Sequence, residues 1–144
     1  MSACELCATL GGEILWQDGL CRVVRVGGEE GRAFPGFCRV VWNAHVAEMT
    51  DLTATDQRHL MNVVFVTEAA LRSLLRPDKI NLASFGNVVP HLHWHVIPRW
   101  RDDSHFPAPI WANEKQSARP RPGVDVAPLA AAIAEALSAE VSGT

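Results

Sequence analysis

Residues 91–96 read HLHWHV, with polar and apolar side chains in strict alternation. That period of two is the pattern of a β-strand, whose successive side chains point to opposite faces. It puts His91, His93 and His95 on one face and Leu92, Trp94 and Val96 on the other, toward a core. Pro90 favours an extended Val89 before it and is tolerated where a strand begins.

The rest of the chain has to be compatible with a sheet that accepts this strand. CRVVRV (21–26) and FCRVVW (37–42) read as two further strands, and the GGEEG between them supplies turn residues, with Gly27-Gly28 as a hairpin turn. From Thr53 the period changes. Leu60, Val63, Val64, Thr67, Leu71 and Leu74 recur at three and four, the spacing of a helix with one buried stripe. Thr53 can cap its start, with Asp56 three residues on, and Pro77 blocks its continuation. KINLASF (79–85) is β-prone and bounded by Gly86-Asn87. Beyond Arg101 the chain turns irregular through HFPAPIW (105–111) and the basic, proline-bearing ARPRPG (118–123), and DVAPLAAAIAEALSAEV (125–141) reads as an alanine-rich helix capped by Asp125, with Pro128 in its permissive first turn. Strand, strand, long helix, strand, strand predicts an α+β fold: an antiparallel β-sheet with a long helix packed on it and a C-terminal helical extension.

Composition removes several function classes. The 13 basic and 16 acidic side chains of the 144 residues form no long runs, so no nucleic-acid groove is expected. No apolar stretch reaches the roughly 18 residues that cross a bilayer, and MSACELCATLGGE lacks the basic start and apolar centre of a secretion signal, so no membrane partner and a cytoplasmic location are expected. In that compartment Cys4, Cys7, Cys21 and Cys38 stay reduced, with Cys21 and Cys38 packed inside.

Residues two apart on a strand lie about 6.5 to 7 Å apart. Neighbouring imidazoles can therefore share one metal ion, but His91 and His95 start about 13 Å apart, and a trio on a single ion requires a bend. A row of imidazoles also suits phosphoryl chemistry, because a neutral imidazole is a competent nucleophile near neutral pH. His93, in the middle, can attack phosphorus, with His95 donating to a phosphate or bridging oxygen and the backbone fixing the tautomer of His93.

HLHWHVI resembles the motif of the histidine triad family, in which three histidines alternate with apolar residues. VVWNAHVAEMTDL (40–52) is similar to the family's upstream strand and its histidine, and the long helix with KINLASFGNVVP stands where the family has its helix and penultimate strand, so the resemblance covers roughly residues 4–100. It implies a catalytic domain over residues 1–112, with 113–124 as linker and 125–144 as C-terminal helix. It also implies a nucleotide hydrolase or transferase acting at the α-phosphorus of dinucleoside polyphosphates or nucleoside phosphoramidates, through a covalent nucleotidyl intermediate on His93. His95 would contact phosphate and assist the leaving group, and Asn81 and Asn87 would bind the nucleotide. The family's hydroxyl three residues before the first triad histidine is replaced by Val88, and its upstream Pro-Lys by Trp42-Asn43. In some relatives a cysteine pair near the N-terminus, the upstream histidine and the first triad histidine hold structural zinc; Cys4, Cys7, His45 and His91 match those positions, and no catalytic metal is required. A homodimer is the family's usual assembly.

Competing readings stay open on sequence alone. The triad could serve a nucleotide-binding regulatory module with little turnover, or form the ligand set of a zinc-dependent hydrolase. CELC could be a loose arm, with His45 hydrogen-bonded to His91. Arg99 could sit near the phosphates but is expected in solvent, His59 is expected on the surface, and Trp94 and Trp100 in the core or at its rim; His105, Phe106 and Trp111 could fold over the nucleotide pocket or a partner subunit, with packing on the protein's own sheet the simpler expectation.

Overall fold

The computed structural model describes residues 3–142. It contains one five-stranded sheet of β1 (Glu13–Gln17), β2 (Cys21–Arg25), β3 (Cys38–Trp42), β4 (Lys79–Ala83) and β5 (His93–Arg99), in the order β1-β2-β3-β5-β4. Every neighbouring pair is antiparallel. Four α-helices accompany it: α1 (Glu5–Ala8), α2 (Gly28–Ala33), α3 (Ala54–Leu75) and α4 (Val126–Ser142).

α3 follows its predicted signals. Thr53 Oγ1 accepts from the Asp56 amide at 3.1 Å, and the helix stops at Arg76, which turns left-handed (φ 49°) just before Pro77. Its buried stripe is Leu60, Val63, Val64, Thr67 and Leu71, joined by Val66 and Ala70; Leu74, expected in that stripe, is 45% exposed. This stripe covers one face of the sheet, where Cys21, Val23, Cys38, Val40, Ile80 and Val96 form the main core. α4 completes that core with Leu129, Ile133 and Leu137, one residue per turn on the same side. Asp125 Oδ1 accepts from the Ala127 amide at 3.2 Å at its start.

The opposite face is covered too, which is why β2 is buried on both sides. At one end Leu6 of α1 packs on Val24 and Val41; at the other Ile97 packs with Val26, Phe34, Phe37 and Ile110. The histidines emerge between these two clusters.

Two expectations need correction. β2 and β3 do pair, from Cys21↔Trp42 to Arg25↔Cys38, but the segment between them is the short helix α2 rather than a tight turn. Glu29 and Glu30 in its first turn and Arg32 in its last oppose the helix dipole, which favours this outcome. β1 went unrecognised because its register is interrupted between Ile14 and Trp16, breaking the alternation that marks a strand. No helix among the described residues is long and apolar enough to cross a membrane.

Candidate functional site

The three triad histidines do not share one environment. β5 begins at His93, so His91 lies before the regular strand and is free of its alternation. The turn there closes with the His91 amide donating to Val89 O at 2.8 Å, while Leu92 bonds the chain on both sides, through Val46 O and the Trp42 amide. His91 is completely buried. Its Nε2–H donates to Trp42 O at 2.6 Å, which leaves Nδ1 as a bare lone pair.

That lone pair faces three groups at once. Cys4 Sγ and Cys7 Sγ each lie 3.4 Å from His91 Nδ1, and His45 Nδ1 lies 3.3 Å away; Cys7 Sγ is also 3.4 Å from His45 Nδ1. One nitrogen cannot make three hydrogen bonds with one lone pair. All four ligand atoms lie within 4.8 Å of one another. A tetrahedral zinc with ordinary bond lengths would hold sulfur and nitrogen ligands roughly 3.3 to 3.8 Å apart. The donor set, its spacing and the tautomer of His91 thus fit a Cys2His2 metal ion. Burial pushes the His91 pKa down, the Trp42 hydrogen bond opposes this, and the neighbouring His45 and Arg22 push the same way as burial, so the ring stays neutral as a ligand must.

The cysteine arm is built in. Arg22, 6% exposed on β2, donates from Nη2 to Leu6 O at 2.8 Å, from Nε to Leu10 O at 3.0 Å and from Nη1 to Asn43 Oδ1 at 2.9 Å. With Leu6 buried beneath it, α1 is fastened to the sheet, and this holds Cys4 and Cys7 over His91.

His93 and His95 look elsewhere. His93 Nδ1–H donates to His91 O at 2.5 Å, so Nε2 is unprotonated and available. Burial lowers the His93 pKa, the bond to His91 opposes it, and the charges of Arg39 and His91 lower it further. For His95, burial first, then the charges of His93 and Arg39, push the pKa down to about 3. Both rings are neutral at physiological pH. They stack edge to face with centroids 4.9 Å apart. His95 Nδ1 is buried without a hydrogen bond, so the less costly tautomer leaves a lone pair there and puts the proton on Nε2.

The two rings line a cleft of about 530 Å³ with Glu30, Arg39, Phe85, Asn87, Val88 and Trp111. Trp111 stands at the rim, edge to face with His95 (4.9 Å) and with Phe85 (5.0 Å). It therefore belongs to the cleft, the alternative to the simpler expectation of packing on the sheet; Ile110 and His105 do pack inward, the latter on Phe34. Arg39 was missed altogether. Its only sequence signal is a charge inside the apolar run FCRVVW, and its position opposite His95 depends on a pairing between distant segments.

Asn87 lines the cleft, but Asn81 does not; Asn81 Oδ1 accepts from Arg99 Nη1 at 2.8 Å. Arg99 overturns its expectation of solvent exposure: it is 1% exposed and makes a two-pronged ion pair with Asp103, 2.8 Å from Nε and 3.0 Å from Nη2. Nη2 also donates to Ala108 O. Asp103 in turn accepts from the amides of Trp100, His105 and Phe106. This buried network shapes the loop that carries Trp111. His59, expected at the surface, is half-buried and sits 2.7 Å from Asp18 Oδ2, joining α3 to the β1–β2 turn. Cys21 and Cys38 are fully buried, unpaired and packed in the core, and burial pushes each thiol up to about 12.

Residues 14–102 match the HIT domain, the histidine triad family. The chain belongs to the HIT family. Among solved structures, this HIT chain is similar to a histidine triad protein of Sinorhizobium meliloti 1021, at 31% identity and a TM-score of 0.68, covering 88% of this chain and 90% of that one. It is also similar to a histidine triad protein of Bradyrhizobium japonicum, at 25% identity and a TM-score of 0.70, covering 93% of this chain and 96% of the other. Among characterised proteins it resembles an AP-4-A phosphorylase of Mycobacterium tuberculosis, 32% identical over 78 residues. The match takes in 50% of this chain and only 40% of that protein.

Proposed function

We propose that this HIT protein is a nucleotide hydrolase or transferase that acts at the α-phosphorus of nucleoside phosphate derivatives, with His93 as nucleophile. One observation carries the reading: His93 donates from Nδ1 to the backbone and turns a bare Nε2 into a cleft that also holds the neutral His95. The Nε2 lone pair forms a nitrogen–phosphorus bond as the bond from phosphorus to the leaving group breaks, its electron pair going to that group. His95, protonated on Nε2, donates a hydrogen bond to a phosphate or bridging oxygen. Water then attacks phosphorus and returns the electron pair to His93. Asn87 is a further contact for the nucleotide. The resemblance to an AP-4-A phosphorylase supports a nucleotide substrate, and dinucleoside polyphosphates and phosphoramidates are the classes to try.

Cys4, Cys7, His45 and His91 would hold structural zinc, which supplies a rigid four-way link and no step of the reaction. Its connection to the chemistry is indirect: the ring of His91 would be held by the ion while its carbonyl orients His93. A triad acting as one metal's ligands has no support in this geometry, since His93 and His95 stand outside the cluster. Turnover should be assayed on both substrate classes with the wild type and His93→Ala; unchanged turnover in the variant would rule the proposal out.

A further inference from the structure

Arg39 is a cation in the cleft with no assigned task. Its Cα pairs with that of His95 across β3 and β5, so its side chain leaves the sheet on the histidine face. Its hydrogen bonding there is poor. Nη2 is 3.6 Å from Glu30 Oε2, too far for a hydrogen bond, and Nη1 makes one long contact, 3.3 Å, to Gly11 O. Nε is buried with no hydrogen bond among the described residues. The two buried arginines, Arg22 and Arg99, have Nε and both Nη atoms engaged, and the partly buried Arg25, whose Nε is also unpartnered, is held by Glu13 at 2.8 Å; Arg39, with its side chain 25% exposed, has no ion pair that close. Arg39 is nonetheless held in place, with its guanidinium carbon 5.5 Å from the centre of the Phe37 ring, which itself touches His95. A fixed guanidinium with unused donors beside two neutral imidazoles is a receptor for an oxyanion.

We propose that Arg39 binds a second phosphate of the substrate, the one bonded through oxygen to the phosphorus that His93 attacks, and so directs the site toward polyphosphate chains. The inference rests on the reading of His93 given above. Glu30, half exposed on α2, holds the guanidinium loosely and gives way when the phosphate arrives. The chemistry of the leaving group sharpens the choice. When the phosphorus–oxygen bond breaks, its electron pair stays on the departing phosphate, and a cation beside it meets the growing charge. An amine leaves only with a proton, and Arg39 has none to give, because a guanidinium is not deprotonated in proteins. Val88, 93% exposed at the cleft, offers no hydroxyl, which leaves His95 as the donor an amine leaving group would need.

The test compares wild type, Arg39→Gln, Arg39→Lys and Glu30→Gln. Binding is measured first, with a methylene-bridged dinucleoside tetraphosphate that cannot be cleaved and with a nucleoside monophosphate. Arg39→Gln should weaken the bridged ligand about 10- to 100-fold, the size of a lost charge-assisted bond, and the monophosphate less than about threefold. Arg39→Lys should recover part of the loss, and Glu30→Gln should tighten the bridged ligand. In turnover, Arg39→Gln should lower kcat/KM on a dinucleoside polyphosphate by a similar factor and leave a nucleoside phosphoramidate within about threefold. Equal losses on both ligands, no loss on either, or no binding of the bridged ligand by the wild type would overturn the proposal. Wild type that binds the bridged ligand through Arg39 yet turns over neither substrate would instead discard His93 as nucleophile and keep the phosphate receptor.

Discussion

His91 and His93 are two residues apart, yet they sit in different kinds of site. His91 is wholly buried and faces two thiols and another imidazole, while His93 faces a cleft with one nitrogen bare. Each donates one ring N–H to a backbone carbonyl, which fixes its tautomer, but by opposite nitrogens: His91 through Nε2 and His93 through Nδ1. The free atom is therefore Nδ1 in the first and Nε2 in the second. Which carbonyl is in reach decides which nitrogen remains available, and so whether the ring faces the cysteines or the cleft. The single bond from His93 to His91 O is the contact through which the cluster can influence the cleft.

If the two regions divide stability from chemistry, perturbations should separate. The largest effect is expected from His93→Ala, with turnover falling by about four orders of magnitude or more while zinc uptake, measured by elemental analysis, matches that of the wild type. Arg99→Met comes next. It strands the buried Asp103 carboxylate and should cost about 3–5 kcal/mol in denaturant unfolding, with a shift in tryptophan fluorescence, since Trp100 adjoins the pair, and no change in zinc uptake. The double variant Cys4→Ser/Cys7→Ser should take up no zinc and lie roughly 5–10 °C below the zinc-loaded wild type in Tm, yet keep measurable turnover; abolished turnover in a folded variant would join the two regions into one site.

Acid sharpens the same contrast. His95 has its folded pKa pushed below the ordinary 6.5 to about 3, so the unfolded chain takes up a proton first. Its contribution to stability is complete above pH 6.5 and is lost as pH falls toward 3. In the metal-free cysteine variant, unfolding at pH 7 and pH 5 should show a drop that His95→Gln reduces. The smallest effect is expected from Asp18→Asn, about 1 kcal/mol or less, since the pair with His59 is partly exposed and touches neither region. It serves as a control for both.

What could be read from the sequence was local. The alternation of HLHWHV, the cap and stop of α3 and the apolar stripe of α4 each lie within one segment, and each element forms. The strand's first residue was not legible, because Pro90 marks a boundary without saying where pairing begins; β5 starts at His93, so His91 precedes the regular pairing, although its ring meets the cysteine arm that Leu6 packs on the side of the sheet carrying Val41, the partner of His93. Arg39 and Arg99 were opaque for a different reason. The side chain of each is placed by partners from elsewhere in the chain: Arg39 opposite His95, and Arg99 against Asn81 and the turn at Asp103. The convergence of Cys4, Cys7, His45 and His91 came from the family resemblance, as nothing in their spacing brings residue 4 to residue 91.

The division of labour between neighbouring histidines is tested most directly by mapping the covalent intermediate. Protein quenched at alkaline pH during turnover of a dinucleoside polyphosphate should carry a nucleotidyl group on His93, located by peptide mass spectrometry, with a phosphorus-31 resonance of an Nε2-linked phosphoramidate. An adduct on His91 or His95, or on the Nδ1 nitrogen of His93, would contradict the account.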